Sequence, residues 1–324
     1  MIPARILGTG SAFPPRRLST LELAATALPH RDPAEMARRT GIVSRAWLDP
    51  GAPVAPLATE ALRLALEAAG LAPAALRRII LATSTGGDNL IPATAHDVAE
   101  ALGLDDTCDA FDVNNSCAGF LTALDLAVRS AATGLGPIGV VAVEAFSRHV
   151  SPERPRPYLV LGDGAGAAIV GASDRGDGLL AVHLRSSADL RGRLVTALPA
   201  RTGRSEQIDF TPSAEELTAT ALSGIERSTA AVLREAGLSL GEIEWVLPHQ
   251  PNGEMLPRIV KALGVAPERT VPIVAEIGSL GAASIAVSLD RLMRTRPVGP
   301  GHRILMTGVG SGTAYGALLY QVAR

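Results

Sequence analysis

The 324 residues carry 47% apolar and 19% charged side chains, with a formal net charge of −2. This is the composition of a globular chain, long enough for one large domain or two closely joined halves. It excludes a disordered chain, and without a long Lys/Arg run or an apolar stretch near the roughly 18 residues of a spanning helix it gives no case for nucleic acid or a membrane as partner.

In chain order, residues 2–8 read as a strand and not as a signal peptide. Helices are expected over residues 33–40 and 55–69, closed by Gly41 and Gly70. A strand at 78–83 is followed by a helix at 93–102, a strand at 109–113 and a helix from Gly119 to near Gly134. Another strand spans 138–143. Residues 158–161 and 167–170 read as two strand pieces around a tight turn at Gly162–Gly166. The theme repeats with a strand at 178–184, a long amphipathic helix at 214–236, a strand at 245–247, and helices at 255–263 and 282–292. Strands at 302–307 and 314–322 flank Gly308–Gly312. Such alternation argues for an α/β fold with mostly parallel sheets covered by helices. Cys117 and Ala283 hold similar places in two similar halves, each a loop before a helix of small residues, and the halves divide as residues 1–172 and 173–324.

The informative stretch is Asn114-Asn115-Ser116-Cys117-Ala118-Gly119-Phe120. It puts a cysteine at a helix N-terminus, where the free N–H groups carry about +0.5 charge and favour a thiolate. A buried, inert cysteine is the alternative. With Cys108 the only other cysteine, neither a disulfide framework nor a metal cluster is expected, which fits the cytoplasm. His249 follows an apolar strand in Val246-Leu247-Pro248-His249-Gln250; alone it could be structural, but beside a nucleophile it supplies the base or N–H donor that thioester chemistry needs. The two glycine runs match neither a Walker loop nor a dinucleotide fingerprint, and tight turns or an oxyanion-binding N–H remain the readings.

Several motifs resemble those of the ketoacyl-ACP synthase III group of the thiolase superfamily. They are Arg39-Thr40-Gly41-Ile42 with Arg45, the segment Asp112 to Phe120, Leu161-Gly162-Asp163-Gly164-Ala165-Gly166-Ala167-Ala168, the His249 segment, and the glycine turn through Gly316. The resemblance implies a thiolase-like fold of two pseudo-duplicated halves in a five-layer αβαβα sandwich, and a homodimer. It implies that Cys117 takes the acyl group, that the N–H groups of Cys117 and Ser311 form an oxyanion hole, and that Ile91 reaches the partner subunit's acyl pocket. Arg39, Asn252 and Lys261 would bind the donor, an acyl carrier protein or CoA thioester, with no permanent cofactor.

The departures shape the functional expectation. Ser279 stands where the family has a catalytic asparagine, and a hydroxyl is shorter than an amide and free to rotate away. Glu35, Glu254 and Glu215 replace a tryptophan, an arginine and an asparagine of the family's CoA and carrier site. The expectation is therefore an acyltransferase of antibiotic or polyketide metabolism. It would pass an acyl group through Cys117 to a small-molecule hydroxyl, amine or thiol, with His249 as base. The alternatives are a decarboxylating condensing enzyme and an inactive scaffold subunit.

Overall fold

The structure is a computed structural model describing residues 1–187, 196, 207, 208 and 210–323. Its elements run β1 (Ile2–Pro3), β2 (Arg5–Ala12), β3 (Arg17–Ser19), α1 (Thr20–Ala27), α2 (Pro33–Thr40), β4 (Ser44–Ala46), α3 (Ala55–Ala69), β5 (Arg78–Ala82), α4 (Thr94–Ala101), β6 (Asp109–Val113), α5 (Gly119–Ala132), β7 (Ile138–Ala145), α6 (Pro155–Tyr158), β8 (Asp163–Gly171) and β9 (Gly178–Ser186). After the segment around residue 200 come α7 (Ala214–Ala236), β10 (Trp245–Pro248), α8 (Met255–Leu263), α9 (Val274–Ile277), α10 (Ala283–Thr295), β11 (Arg303–Gly310) and β12 (Ala314–Gln321). Among the described residues no helix is long and apolar enough to cross a membrane.

Two five-stranded sheets, ordered β2-β8-β7-β5-β6 and β1-β9-β12-β11-β10, carry the fold. They share one pairing scheme: β7 with β5 and β11 with β10 are parallel, while β8 and β12 run antiparallel to both their neighbours. Helices α5 and α10 lie between the sheets and touch strands of both, whereas α3 covers the outside of the first sheet and α7 the outside of the second. The five layers of the αβαβα sandwich are thus in place. The central helices turn apolar faces to the sheets: Phe120, Leu121, Leu124, Ala283, Ile285 and Leu289 are all fully buried, while the Asp125–Arg129 and Asp290–Arg294 pairs mark their polar sides. Each large side chain so buried contributes about 1.5–3 kcal/mol.

Local chemistry sets the helix limits. Ser19 with Glu22 and Ser213 with Glu216 form reciprocal capping boxes at the starts of α1 and α7. Gly41, Gly70, Gly237 and Gly264 adopt the left-handed conformation that closes α2, α3, α7 and α8.

Four expectations need correction. The sheets are not mostly parallel: five of the eight strand pairings in the two large sheets are antiparallel. The first strand is two: the chain crosses at Ala4, so that β1 pairs with β9 in the second sheet and β2 with β8 in the first. Residues 158–161 are not a strand; Pro155 and Pro157 open a helical turn. The run from Gly162 is not a tight turn either, since Gly164 and Gly166 lie inside continuous β8. These glycines serve close packing, because a Cβ on Gly162 would sit 2.3 Å from the Ile277 carbonyl oxygen and one on Gly166 2.7 Å from the Ala286 Cβ. The sequence pattern also missed α1, β3 and β4, a small cover beside α2.

Candidate active site

Cys117 lies in the turn between β6 and α5, one residue before Ala118, which caps α5. Ala118 N–H donates to Asn115 O and Gly119 N–H to Ser116 O, closing the turn tightly. Ser116 takes a φ of +48°, a conformation that costs a side-chain-bearing residue on the order of 1–3 kcal/mol and gathers at functional sites. The Asn114 side chain accepts from Ser116 N–H at 3.0 Å, and Asn115 donates to Thr122 at 2.9 Å. One residue back along β6, Asp112 caps α4 by accepting from Thr94 and Ala95 N–H.

The second half supplies the opposite wall. His249 follows β10, and its N–H donates to Thr307 O on β11 at 2.8 Å. Gln250 then fixes the backbone: its amide donates to Val271 O and Ser288 Oγ, while its oxygen accepts from Ile273 and Val274 N–H. Strand β11 runs between the histidine and the cysteine. A Cβ on Gly308 would lie 3.3 Å from the His249 Cβ, and one on Gly310 only 2.7 Å from the Cys117 N. Ser311 comes next, in a short helical turn. The end of β11 is thereby pressed against the backbone of Cys117.

Ser279 sits in the turn before α10 and is 3% exposed. Its N–H donates to Val160 O at 2.9 Å and its carbonyl accepts from Gly162 N–H at 3.0 Å, so its backbone is stitched to the loop before β8. That loop is held from below by buried Arg45, which donates to Leu159 O and Thr20 Oγ1. At the other end of the turn, Ala282 meets Gly119 across the midline, its Cβ 3.3 Å from where a Gly119 Cβ would be. The N-termini of α5 and α10 therefore converge, bringing the Cys117 and Ser279 turns to one place.

Glu144, which the sequence reading passed over, is fully buried at the end of β7. Its carboxylate accepts from Ser84 N–H, Ser84 Oγ, Thr85 N–H and, across the midline, Ala282 N–H. The signal for it was a lone acid in the apolar strand Val140-Val141-Ala142-Val143-Glu144-Ala145.

Burial dominates the electrostatics. It pushes the Cys117 thiol up to about 12, and the Glu144 carboxylate nearby adds to the rise. The residue keeps some accessible surface, yet burial of its sulfur works against the ionisation that the N-terminus of α5 favours. Burial also lowers His249 to about 4, which leaves its imidazole neutral at pH 7. Its Nδ1 is buried without a hydrogen-bond partner among the described residues. Burial raises the Glu144 carboxyl as well, opposed by its N–H donors.

The other expected site residues lie outward. Thr40 O accepts from Gly253 N–H at 2.8 Å, and the Gly41 and Gly253 backbones touch too closely for any Cβ. This joins the end of α2, with Arg39, to the loop carrying Asn252. Arg39 is exposed and 3.7 Å from Glu35. Asn252 Oδ1 caps α8 by accepting from Met255 N–H at 2.8 Å. Lys261 is exposed in the last turn of α8, and Ile91 is 85% exposed on the loop after β5.

Comparison with known proteins settles the family and corrects the activity. The family models for 3-oxoacyl-[acyl-carrier-protein] synthase III match residues 111–188, and for its C-terminal part residues 233–322. The chain is 36% identical to a β-ketoacyl-[acyl-carrier-protein] synthase III of Rhizorhabdus wittichii, over 97% of its own length and 98% of that protein's. It is 33% identical to a 3-oxopimeloyl-[acyl-carrier-protein] synthase of Rhodothermus marinus, over 97% and 96%. The crystal structure of a 3-oxoacyl-(acyl carrier protein) synthase III from Pseudomonas aeruginosa superposes with a TM-score of 0.90 at 31% identity, covering 99% of both chains. Relatives with these names are condensing enzymes, which overturns the expected acyltransferase of secondary metabolism. Serine in place of asparagine at position 279 does not outweigh so many shared features. Sequence motifs, paired sheets and full-length relatives agree that this chain belongs to the 3-oxoacyl-[acyl-carrier-protein] synthase III family.

Proposed function

We propose that this protein is a decarboxylating condensing enzyme that joins an acyl group to the two-carbon unit of a malonyl thioester. What carries the reading is full-length identity to relatives named as synthases of this kind, joined to a cysteine, a histidine and a serine at the meeting of two central helices. Cys117 attacks the donor thioester, an acyl-CoA or acyl carrier protein. The N–H groups of Cys117 and Ser311 stabilise the tetrahedral oxyanion, and the CoA or carrier thiol leaves with the proton that Cys117 gives up. A malonyl thioester on the carrier protein then loses CO₂. The enolate carbon attacks the acyl-Cys117 carbonyl, a carbon–carbon bond forms, the C–S bond breaks with its electron pair on sulfur, Cys117 regains a proton from solvent, and a 3-oxoacyl thioester departs.

The depressed pKa of His249 bears on its role. A neutral imidazole with a pKa of about 4 is a weak base but a good N–H donor. His249 accordingly donates to the malonyl carbonyl as charge builds on the enolate oxygen, and the Ser279 hydroxyl takes the second donor position. Arg39 and Lys261 face the arriving phosphopantetheine, and Asn252 holds α8 in place behind it. Ile91 extends toward the acyl pocket of a second copy in a homodimer.

The test is intact-protein mass spectrometry of Cys117 after incubation with a panel of acyl-CoA thioesters, followed by ¹⁴CO₂ release from labelled malonyl carrier protein. Expected are an acyl adduct, CO₂ and a 3-oxoacyl product in equal amounts. Acyl-Cys117 that forms but discharges only to water or added amines, without CO₂, would refute condensation.

A further inference from the structure

The Ser279–Ala282 turn is fastened at both ends to the first half of the chain. At one end, the Ser279 backbone pairs with Val160 and Gly162. At the other, the Ala282 N–H donates to Glu144 Oε1 at 3.0 Å. The same carboxylate takes Ser84 Oγ at 2.7 Å and Thr85 N–H at 3.0 Å from the loop after β5. A Cβ on Gly281 would lie 2.8 Å from Glu144 Oε1, so the turn rests directly on the carboxylate. One acidic side chain thus gathers donors from the loop after β5 and from the turn before α10.

We infer that Glu144 is a positioning residue for condensation: its carboxyl group pins the turn that carries Ser279 against the loop after β5. A carboxylate with three backbone N–H donors is held in one orientation, and loosening it frees the turn by a hydrogen-bond length. The inference rests on Cys117 as the acyl carrier.

The experiment compares wild type, Glu144→Gln and Glu144→Asp in two readouts: acyl loading of Cys117 and CO₂ release from malonyl carrier protein. Glu144→Gln exchanges one acceptor oxygen for an N–H₂ donor, so it cannot hold all four donors. CO₂ release should drop by on the order of 10²-fold, while acyl loading stays within about threefold of wild type. Glu144→Asp draws the carboxylate back by one methylene and should show the same uneven loss. A merely structural role predicts equal losses in both half-reactions, and that result overturns the inference. Should Glu144→Gln fail to fold, Ser84→Ala decides: it removes the Ser84 Oγ donor at 2.7 Å, and equal losses in the two half-reactions overturn the inference too. Wild type that takes no acyl group at all defeats the functional reading instead, which keeps the two failures apart.

Discussion

Gly310→Ala isolates the steric demand at the candidate oxyanion hole. Gly310 has φ −138° and ψ 176°, extended backbone that alanine adopts freely, so conformational strain plays no part. What changes is contact. The new Cβ would lie 2.7 Å from the Cys117 N, 3.0 Å from the Ser116 Cβ and 3.3 Å from the Ala118 N. Ordinary contact needs about 3.5 Å, so β11 and the cysteine turn must part by roughly 0.5–1 Å. Overpacking of that size costs about 1–3 kcal/mol, which for a chain this long lowers Tm by roughly 2–10 °C. The catalytic loss should be larger in proportion. The displaced groups include the two N–H donors assigned to the oxyanion, and a misplaced or lost donor costs about 10²–10³ in rate. Steady-state kcat for condensation, acyl loading and a thermal melt measure the three effects. Gly312→Ala is the control: Gly312 has φ +72° with open space around it, so alanine there brings strain but no clash with Cys117. If Gly310→Ala keeps more than a third of wild-type kcat, or if Gly312→Ala loses as much, β11 does not set the oxyanion geometry.

Two other outcomes follow from the same site. Ser279→Ala should leave acyl loading of Cys117 within about twofold and slow CO₂ release by on the order of 10-fold or more, the effect of one donor lost from the enolate; an unchanged CO₂ rate would reduce Ser279 to a space-making residue. The His249 imidazole gives a pH dependence of stability. Its folded pKa is depressed to about 4 from 6.5, so below pH 6.5 the unfolded chain binds a proton that the folded chain refuses. Stability therefore falls as pH falls through that window, by roughly 3 kcal/mol in all, and the loss is complete near pH 4. Urea midpoints at pH 7 and pH 4.5 should show a smaller drop in His249→Gln than in wild type; an equal drop would place the acid sensitivity elsewhere.

Much of the fold was legible where side chains announce it. Helices α2, α3, α7 and α8 have the limits their sequence pattern predicts, with Gly41 and Gly70 closing the first two. Cys117 stood out between a polar run and the start of a helix of small residues, and His249 just past an apolar strand. Tertiary proximity stayed hidden. Nothing local separates a glycine that turns a chain from one that admits a neighbour's backbone, which is why the Gly162–Gly166 run was misread. The helix N-terminus argued for a thiolate at Cys117, but enclosure between two sheets is a property of the folded whole and works against it. Glu144 was readable in principle, as an acid that strand β7 could bury only with partners, yet those partners lie 59 to 138 residues away.

The crossing at Ala4 also bears on how the chain assembles during synthesis. Ile6 N–H donates to the Tyr320 hydroxyl, 314 residues later, and Thr9 and Ser11 donate to Asp290, 281 and 279 residues later. At roughly 5–20 residues per second, tens of seconds pass between the emergence of β2 and that of these partners. Strand β2 can pair with β8 once residues 163–171 have emerged, but its contacts to the second half wait through the longer interval. A bulky fusion placed ahead of β1 would therefore disturb the final joining of the sheets more than the early folding of the first one.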